Sequence, residues 1–91
     1  MKLRWAPAAS DDLTAAYTYI ANDDPERAER VVRTIVNAAE GLVLFPLHGR
    51  AGAMPGTRER ILSRHPYKIV YRIQGDWIEI VRIVHMAQDW P

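Results

Sequence analysis

The sequence contains no cysteine among its 91 residues. This excludes a disulfide framework and a thiolate metal site, and it fits the reducing cytoplasm, where we expect the protein to be located. No stretch approaches the roughly 18 apolar residues of a membrane span. The N-terminus also lacks the apolar run and the small-residue cleavage site of a signal peptide. Ninety-one residues suit one core, so we expect a single domain over residues 1–91 with no membrane partner.

Motifs of several enzyme classes are missing as well. The chain has no GxxxxGK[ST] or GxGxxG motif for phosphate or dinucleotide binding, and no serine nucleophile elbow. Its three histidines are widely spaced and no cysteine accompanies them. We therefore expect neither a metal ion nor an organic cofactor.

Charge is nearly balanced, at +1, but it is unevenly distributed. Residues 1–45 carry five basic and seven acidic side chains, whereas residues 46–91 carry seven basic and four acidic ones and all three histidines. A basic half can meet a polyanion or an acidic partner protein. A solvated basic face explains the same composition, so charge alone does not choose between the two.

The first half of the chain has the pattern of two helices. After a short strand candidate at Lys2–Trp5, Pro7 suits a first helical turn, and apolar residues recur with helical spacing as far as Ile20. Asp24 is a good N-cap with Pro25 behind it, and the apolar face that follows is regular over about 17 residues. Helices joined by so short a turn predict an antiparallel hairpin.

The second half changes to the period of β-strands. A loop rich in glycine and proline precedes strand patterns at residues 57–64, Tyr67–Gln74 and Trp77–His85. The last two are separated by Gly75-Asp76, a two-residue hairpin signal. The order β-α-α-β-β-β predicts an α+β fold, with an antiparallel helix hairpin packed on one face of a mainly antiparallel four-stranded sheet.

The hairpin turn predicts a register for the last two strands. If Gln74 faces Trp77, then Arg72 faces Glu79 as a cross-strand ion pair. Continued along the strands, this register predicts one nearly apolar face for the helices: Tyr67, Ile69, Tyr71, Ile73, Ile78, Ile80, Arg82 and Val84, with Ile69 opposite Arg82. It predicts a mixed, half-exposed working face on the other side: Lys68, Val70, Arg72, Gln74, Trp77, Glu79, Val81, Ile83 and His85.

Two polar residues of the last strand are candidates for a site. His85 titrates near neutrality and can exchange protons with a phosphate ester or a ribose hydroxyl, although a lone histidine at a strand end is more often structural. Arg82 is unusual on an apolar face. Either it makes a bidentate contact at the sheet edge, or it pairs with a carboxylate and anchors the C-terminal tail. Asp89 is the nearest carboxylate in that tail.

Three arginines share one face of the strand predicted at residues 57–64. Alternation places Arg58, Arg60 and Arg64 together with Leu62. Guanidinium groups in this arrangement suit the binding of phosphates or acidic side chains. They fit equally well an edge strand that is protected from aggregation by its charge.

Five segments carry a resemblance to a known family. YIANDDPERAERVVRTI, FPLHGRAG, PGTRE, YKIVYRI and IVRIVH, in this order, resemble the RelE/ParE superfamily of toxins from type II toxin–antitoxin modules. The resemblance covers nearly the whole chain and agrees with the β-α-α-β-β-β order. It implies a growth-arresting toxin that a cognate antitoxin neutralises in a hetero-oligomer. RelE-like members cleave mRNA on the ribosome without a metal, whereas ParE-like members poison DNA gyrase and perform no chemistry of their own.

The resemblance also assigns roles to residues. In a nuclease, Lys68, Arg82 and His85 would be catalytic, but Lys68 stands where the nucleases usually have arginine, and Glu59 and Ile61 stand where RelE has paired lysines. The GR and PGTRE segments are more similar to ParE, so gyrase poisoning is the leading expectation. An mRNA endonuclease is the alternative, and a non-toxic antitoxin-binding module is the third possibility. Residues expected to contact the target or the antitoxin are Arg58, Arg60, Arg64, Asp89 and Trp90.

Overall fold

The computed structural model describes residues 1–91, and its elements follow the predicted order with one addition. They are β1 (Lys2–Trp5), α1 (Pro7–Ala21), α2 (Pro25–Gly41), β2 (Arg50–Ala51), β3 (Arg58–Ile61), β4 (Tyr67–Gln74) and β5 (Trp77–His85). The added element is the two-residue β2, which pairs with β3, so the sheet has five strands instead of the predicted four. The strand order is β1-β5-β4-β3-β2, and only the β1–β5 pair is parallel. The α+β architecture is confirmed.

The helices begin where the sequence predicts. The Asp24 carboxylate accepts a hydrogen bond from the Arg27 amide at 3.1 Å, with Pro25 in the first turn of α2. Each helix buries its small and branched residues against one face of the sheet. Neither helix is long and apolar enough to cross a bilayer. The core between helices and sheet is formed chiefly by Ala9, Ala16, Ile20, Ala28, Val31, Ile35, Ala39, Leu42, Ile69, Tyr71, Ile78, Ile80 and Ile83.

The β4–β5 hairpin follows the predicted register only near its turn. Gly75 has a φ of +56°, which suits a tight hairpin turn. Gln74 pairs with Trp77, and Arg72 forms the predicted ion pair with Glu79 at 2.6 Å. The register then shifts, because Tyr71 pairs with Ile80 whereas Val70 pairs with Arg82.

The shift leaves Val81 as one extra residue on β5, which is a β-bulge. Side chains alternate along a strand, so one extra residue exchanges the two faces beyond it. Ile69 therefore pairs with Ile83, not with Arg82 as predicted. Ile83 and His85 lie on the helix-facing side, and Arg82 and Val84 lie on the opposite side.

The loop between α2 and β3 is held by a buried tyrosine. The Tyr71 hydroxyl donates a hydrogen bond to the Pro46 carbonyl at 2.7 Å and accepts one from the Gly49 amide at 2.8 Å. Tyr71 is fully buried. The loop is thus tied to the centre of the sheet although much of its surface faces solvent.

Candidate functional site

The three candidate catalytic residues do not share one face of the sheet. His85 borders a groove between α1 and the sheet, together with Tyr67 and Ile83. Lys68 follows Tyr67 in β4 and therefore points to the opposite face. The predicted working face shared by Lys68 and His85 is wrong, because the bulge at Val81 moves His85 to the helix side.

Lys68 is paired with a buried carboxylate. Its ammonium nitrogen lies 3.1 Å from Oε1 of Glu59, which is only 4% exposed. The Ala53 amide donates to Oε2 of Glu59 at 3.0 Å, and Arg50 lies 3.8 Å from Oε1. Burial by itself raises the pKa of Glu59, but the Ala53 hydrogen bond and the charges of Lys68 and Arg50 outweigh burial and lower the pKa below its ordinary value. Glu59 is therefore ionised at neutral pH and neutralises Lys68.

Arg82 is paired as well, with a carboxylate on α1. Its Nε and Nη2 donate to the two oxygens of Asp12 at 2.6 and 2.9 Å. These hydrogen bonds raise the pKa of Arg82 above its already high value. Asp12 also accepts a hydrogen bond from the Ile83 amide at 3.0 Å. This gives a partner to a backbone donor of β5 that lies beyond the last residue pairing with β1. The predicted partner Asp89 is wrong, but the tail does meet Arg82, since the Trp90 ring lies 5.5 Å from its guanidinium carbon.

Removing the Asp12 charge should loosen this corner of the fold. Asp12→Asn is expected to lower the free energy of unfolding by about 1–2 kcal/mol, because one neutral amide cannot replace two charge-assisted bonds and the bond from the Ile83 amide. The figure is modest because Arg82 is 37% exposed and solvent screens the pair. Urea unfolding measures it. Asp11→Asn, on the neighbouring exposed carboxylate, is the matched control and should change stability by less than about 0.5 kcal/mol; equal losses in both variants would contradict the assignment.

His85 is held in the groove beside α1. Its ring stacks edge-to-face on Tyr67, with centroids 5.1 Å apart, and its Nδ1 accepts from the Ala87 amide at 3.0 Å. The neutral imidazole therefore carries its proton on Nε2. Burial raises the pKa of Tyr67, so its hydroxyl is protonated at neutral pH.

The groove beside His85 has a volume of about 410 Å³ and no Lys or Arg among its lining side chains. It offers proton donors and acceptors, including Tyr67, His85 and Gln88. It does not offer the positive charge that stabilises a phosphorane-like transition state. No three His, Asp or Glu side chains are placed to hold a metal ion.

The three arginines of the predicted strand separate into two environments. Arg58 and Arg60 share one side of β3, as predicted, and pair with Tyr71 and Ile69 of β4. Nη2 of Arg58 donates to the Leu47 carbonyl at 3.3 Å. The strand ends at Ile61, so Arg64 lies in the following turn and not on the predicted strand face. Arg60 and Arg64 instead line a second groove, against α2.

Two carboxylates that pair with the candidate catalytic cations were not predicted from the sequence: Asp12 pairs with Arg82, and Glu59 pairs with Lys68. Asp12 had a signal, because it lies three residues after Ala9 and four before Ala16, on the buried stripe of α1. Glu59 stands between two arginines in the alternating pattern, and nothing local marks it as buried. Its burial depends on which residues of β4 lie opposite β3.

Comparison with known proteins identifies the family. The profile described as "ParE toxin of type II toxin-antitoxin system, parDE" matches residues 3–90. The chain is 41% identical over 90 residues to the putative toxin Y4kP of Sinorhizobium fredii, which covers 99% of this chain and 93% of that protein. It is 33% identical over 84 residues to toxin RelE2 of Caulobacter vibrioides, covering 92% and 93% of the two chains.

Two solved structures share the fold. A structure described as the chromosomal ParDE TA system from P. aeruginosa superposes with a TM-score of 0.85 at 34% identity, covering 93% of this chain and 95% of the other. The toxin–antitoxin complex RelBE2 from Mycobacterium tuberculosis gives a TM-score of 0.65 at 26% identity, covering 92% and 95%. The RelE/ParE resemblance is thereby confirmed. The chain belongs to the ParE toxin family and is a toxin of a type II toxin–antitoxin system.

Proposed function

We propose that this toxin arrests growth by binding DNA gyrase, without cleaving RNA, and that a cognate antitoxin neutralises it in a hetero-oligomeric complex. The observation that carries the proposal is the neutralisation of the candidate catalytic cations: Glu59 pairs with Lys68, and Asp12 pairs with Arg82. Cleavage without a metal needs cations that can turn to the developing charge on the phosphate. Here those cations already face carboxylates of the same chain.

The comparisons support the same choice. The matching family profile is that of ParE toxins, and the ParDE structure superposes more closely than RelBE2. The second candidate is ribosome-dependent mRNA cleavage, and one contact favours it. Tyr67 and His85 are both proton-transfer groups and lie ring to ring.

A supercoiling assay with purified gyrase separates these candidates. We expect the toxin to inhibit supercoiling, and His85→Ala to retain that inhibition within about threefold. Removing a catalytic acid or base would instead lower activity by roughly 100-fold or more. Lys68→Met alone would leave Glu59 buried and unpaired. The informative second variant is therefore the double change Glu59→Gln with Lys68→Met, which removes both charges at similar volume and should also inhibit.

The parallel measurement follows mRNA integrity in a translating extract. We expect intact transcripts with the toxin and with both variants. Cuts phased to codons, abolished by His85→Ala, together with uninhibited gyrase, would overturn the proposal in favour of the nuclease. Harmless induction without antitoxin would instead support the non-toxic binding module.

An exposed apolar segment fits the antitoxin. Leu44, Phe45 and Leu47 are 76%, 66% and 70% exposed, and the Tyr71–Pro46 hydrogen bond holds the segment in place. Contiguous apolar side chains on a rigid loop are typical of protein-binding surfaces. The two solved relatives are toxin–antitoxin assemblies, so we propose that apolar side chains of the antitoxin cover this segment.

Polar substitution of the segment should weaken the complex without unfolding the toxin. Leu44→Ser with Leu47→Ser is expected to raise the dissociation constant of the antitoxin by about tenfold or more, since exposed anchors at an interface contribute upwards of about 1–2 kcal/mol. Isothermal titration calorimetry measures it. Met54→Ser, in the same loop and 37% exposed, is the control, and an unchanged dissociation constant in the double variant would place the antitoxin elsewhere.

A further inference from the structure

A groove between α2 and the turn that connects β3 to β4 is surrounded by arginines. It has a volume of about 450 Å³, and we call it the basic groove. Four guanidinium groups line it, two from α2 and two from β3 and its turn, and no carboxylate does. The polar lining is completed by hydrogen-bonding side chains of the helix and the turn. The residues used below are Arg30, Arg33, Asn37, Arg60, Ser63 and Arg64.

The distribution of ion pairs makes this groove unusual for the molecule. Six of the twelve Lys and Arg side chains form an ion pair within the chain, namely Arg4, Arg33, Arg50, Lys68, Arg72 and Arg82. Of the six that form none, three line the basic groove: Arg30, Arg60 and Arg64. The cations of the opposite sheet face are matched by Glu59 and Glu79. Half of the unpaired cations of the chain are therefore gathered in this one groove.

The remaining arginine of the groove is only loosely paired. Arg33 meets Glu29 at 2.6 Å, one turn away on the same exposed side of α2. Exposed pairs of this kind contribute little and are screened by salt. Arg33 is therefore able to turn to an external anion without leaving a buried charge behind.

We propose that the basic groove binds the phosphodiester backbone of a nucleic acid. A planar guanidinium presents two parallel donors that match two phosphate oxygens. Arg60 already donates to the Ile61 carbonyl, so its position is restrained before a ligand arrives. Asn37 and Ser63 add neutral donors of the type that commonly contact phosphates.

The lining also distinguishes a phosphate backbone from other polyanions. An acidic peptide segment would bring apolar anchor side chains, and the groove offers only Ala38 and Leu62 to receive them. No Phe, Tyr or Trp ring lines it, and His65 is its one aromatic side chain, so it lacks the row of rings on which successive bases stack. The expected binding therefore depends on charge and salt and is indifferent to nucleotide sequence.

This inference goes beyond the proposed function, because it needs neither gyrase nor the ribosome. Both of those targets hold a nucleic acid, and contact with its backbone would retain the toxin beside either one. The test below uses the purified full chain alone. A negative result in this test would not affect the gyrase proposal, and a negative gyrase assay would not affect this proposal.

Fluorescence anisotropy with labelled oligonucleotides tests the proposal. The probes are a 20-bp DNA duplex and a 20-nucleotide single-stranded RNA, each of mixed sequence and titrated at several salt concentrations. We expect binding to at least one probe. The double variant Arg30→Gln with Arg64→Gln should weaken it by about tenfold or more at low salt, and should reduce the slope of log K against log salt by about one to two. The probe that binds more tightly shows whether the groove prefers the backbone of DNA or that of RNA.

The matched control removes two other unpaired cations. Lys2→Gln with Arg27→Gln changes the net charge equally, and both residues lie outside the basic groove. It should weaken binding by less than about threefold, because it alters only the long-range field. Arg30→Lys with Arg64→Lys keeps the charge but loses the fork, and its affinity should fall between the two. All four substituted residues are exposed, and circular dichroism confirms that each variant is folded.

Three results would overturn the proposal. The first is that neither probe binds. The second is an equal loss in the groove variant and in the control, which would assign binding to net charge alone. The third is that an acidic peptide binds the unmodified chain but not the groove variant, while both oligonucleotides bind the two proteins equally well. That result would make the groove a protein-docking site.

Discussion

Glu59→Ala is expected to lower the free energy of unfolding by about 3–5 kcal/mol, because it removes one partner of a buried ion pair and leaves Lys68 without a counter-charge. The Lys68 side chain is 13% exposed and the Glu59 side chain 4%, so water compensates little. The Ala53 amide also loses its acceptor, which releases the loop before β3. Against a total stability of about 5–15 kcal/mol, a loss of this size leaves the fold marginal.

Two further variants separate the charge from the packing at this position. Glu59→Gln with Lys68→Met should lose less than Glu59→Ala, because it removes both charges and retains the volume. Glu29→Ala, at the exposed end of the pair with Arg33, should change stability by less than about 0.5 kcal/mol. Thermal and urea unfolding measure all three. If Glu59→Ala were as stable as Glu29→Ala, the buried pair would have no structural role.

The same carboxylate predicts a pH dependence. The folded-state pKa of Glu59 lies below its ordinary value of 4.5. Its stabilising contribution is therefore complete above about pH 4.5 and is lost as the pH falls through the folded-state pKa. Acid should destabilise the unmodified chain in that window, and Glu59→Gln should have a shallower pH profile there. Parallel profiles would assign the acid sensitivity to other carboxylates.

Gly49→Ala is expected to destabilise the fold by about 3 kcal/mol. A Cβ at this position would lie 2.6 Å from Cε1 and 2.7 Å from the hydroxyl oxygen of Tyr71, and 2.9 Å from the Glu59 carbonyl. None of these groups yields easily, because Tyr71 is fully buried and the Glu59 carbonyl belongs to a strand. Displacing the ring also breaks its hydrogen bonds to Pro46 and Gly49, so overpacking and lost hydrogen bonds act together.

The control is the same substitution at a glycine with open surroundings. A Cβ at Gly41 meets nothing within 4 Å, and Gly41 is the last residue of α2. Gly41→Ala should therefore be neutral or stabilise the fold by up to about 1 kcal/mol, through the lower entropy of the unfolded chain. The melting temperature measured by calorimetry should fall for Gly49→Ala and stay unchanged or rise for Gly41→Ala. A similar decrease in both would exclude close approach to Tyr71 as the reason for glycine at position 49.

The loop that these predictions concern carries the GRAG part of the family resemblance. Gly49 admits the Tyr71 hydroxyl, and the following residues bring Arg50 and the Ala53 amide to Glu59. The segment thus has a packing role, which explains why small residues occur there without a phosphate-binding motif. It also positions the exposed apolar residues proposed to meet the antitoxin.

The part of the hairpin near Gly75 was predictable, and the part beyond Val81 was not. A two-residue turn determines which residues are opposite one another for as long as the strands remain regular. The bulge leaves no trace in the pattern, because Ile83 and Val84 are both apolar and both buried, on opposite faces. Either assignment of faces fits that sequence. The predicted working face is wrong beyond this point, so Lys68 and His85 do not share a face of the sheet.

The two helices, their hairpin, the four longer strands and the turn at Gly75 were predictable from the sequence, whereas the two-residue β2 was not. The predictable elements depend on residues close together in the chain, through capping, periodicity and turn geometry, and the family was recognised from the resemblance of ordered segments. The tertiary structure alone decided which face His85 occupies and which carboxylates neutralise Lys68 and Arg82. Asp12 and Arg82 are 70 residues apart in sequence, and Glu59 meets Lys68 only through the pairing of β3 with β4. Charge partners across such separations are set by how the layers pack, which no local pattern contains.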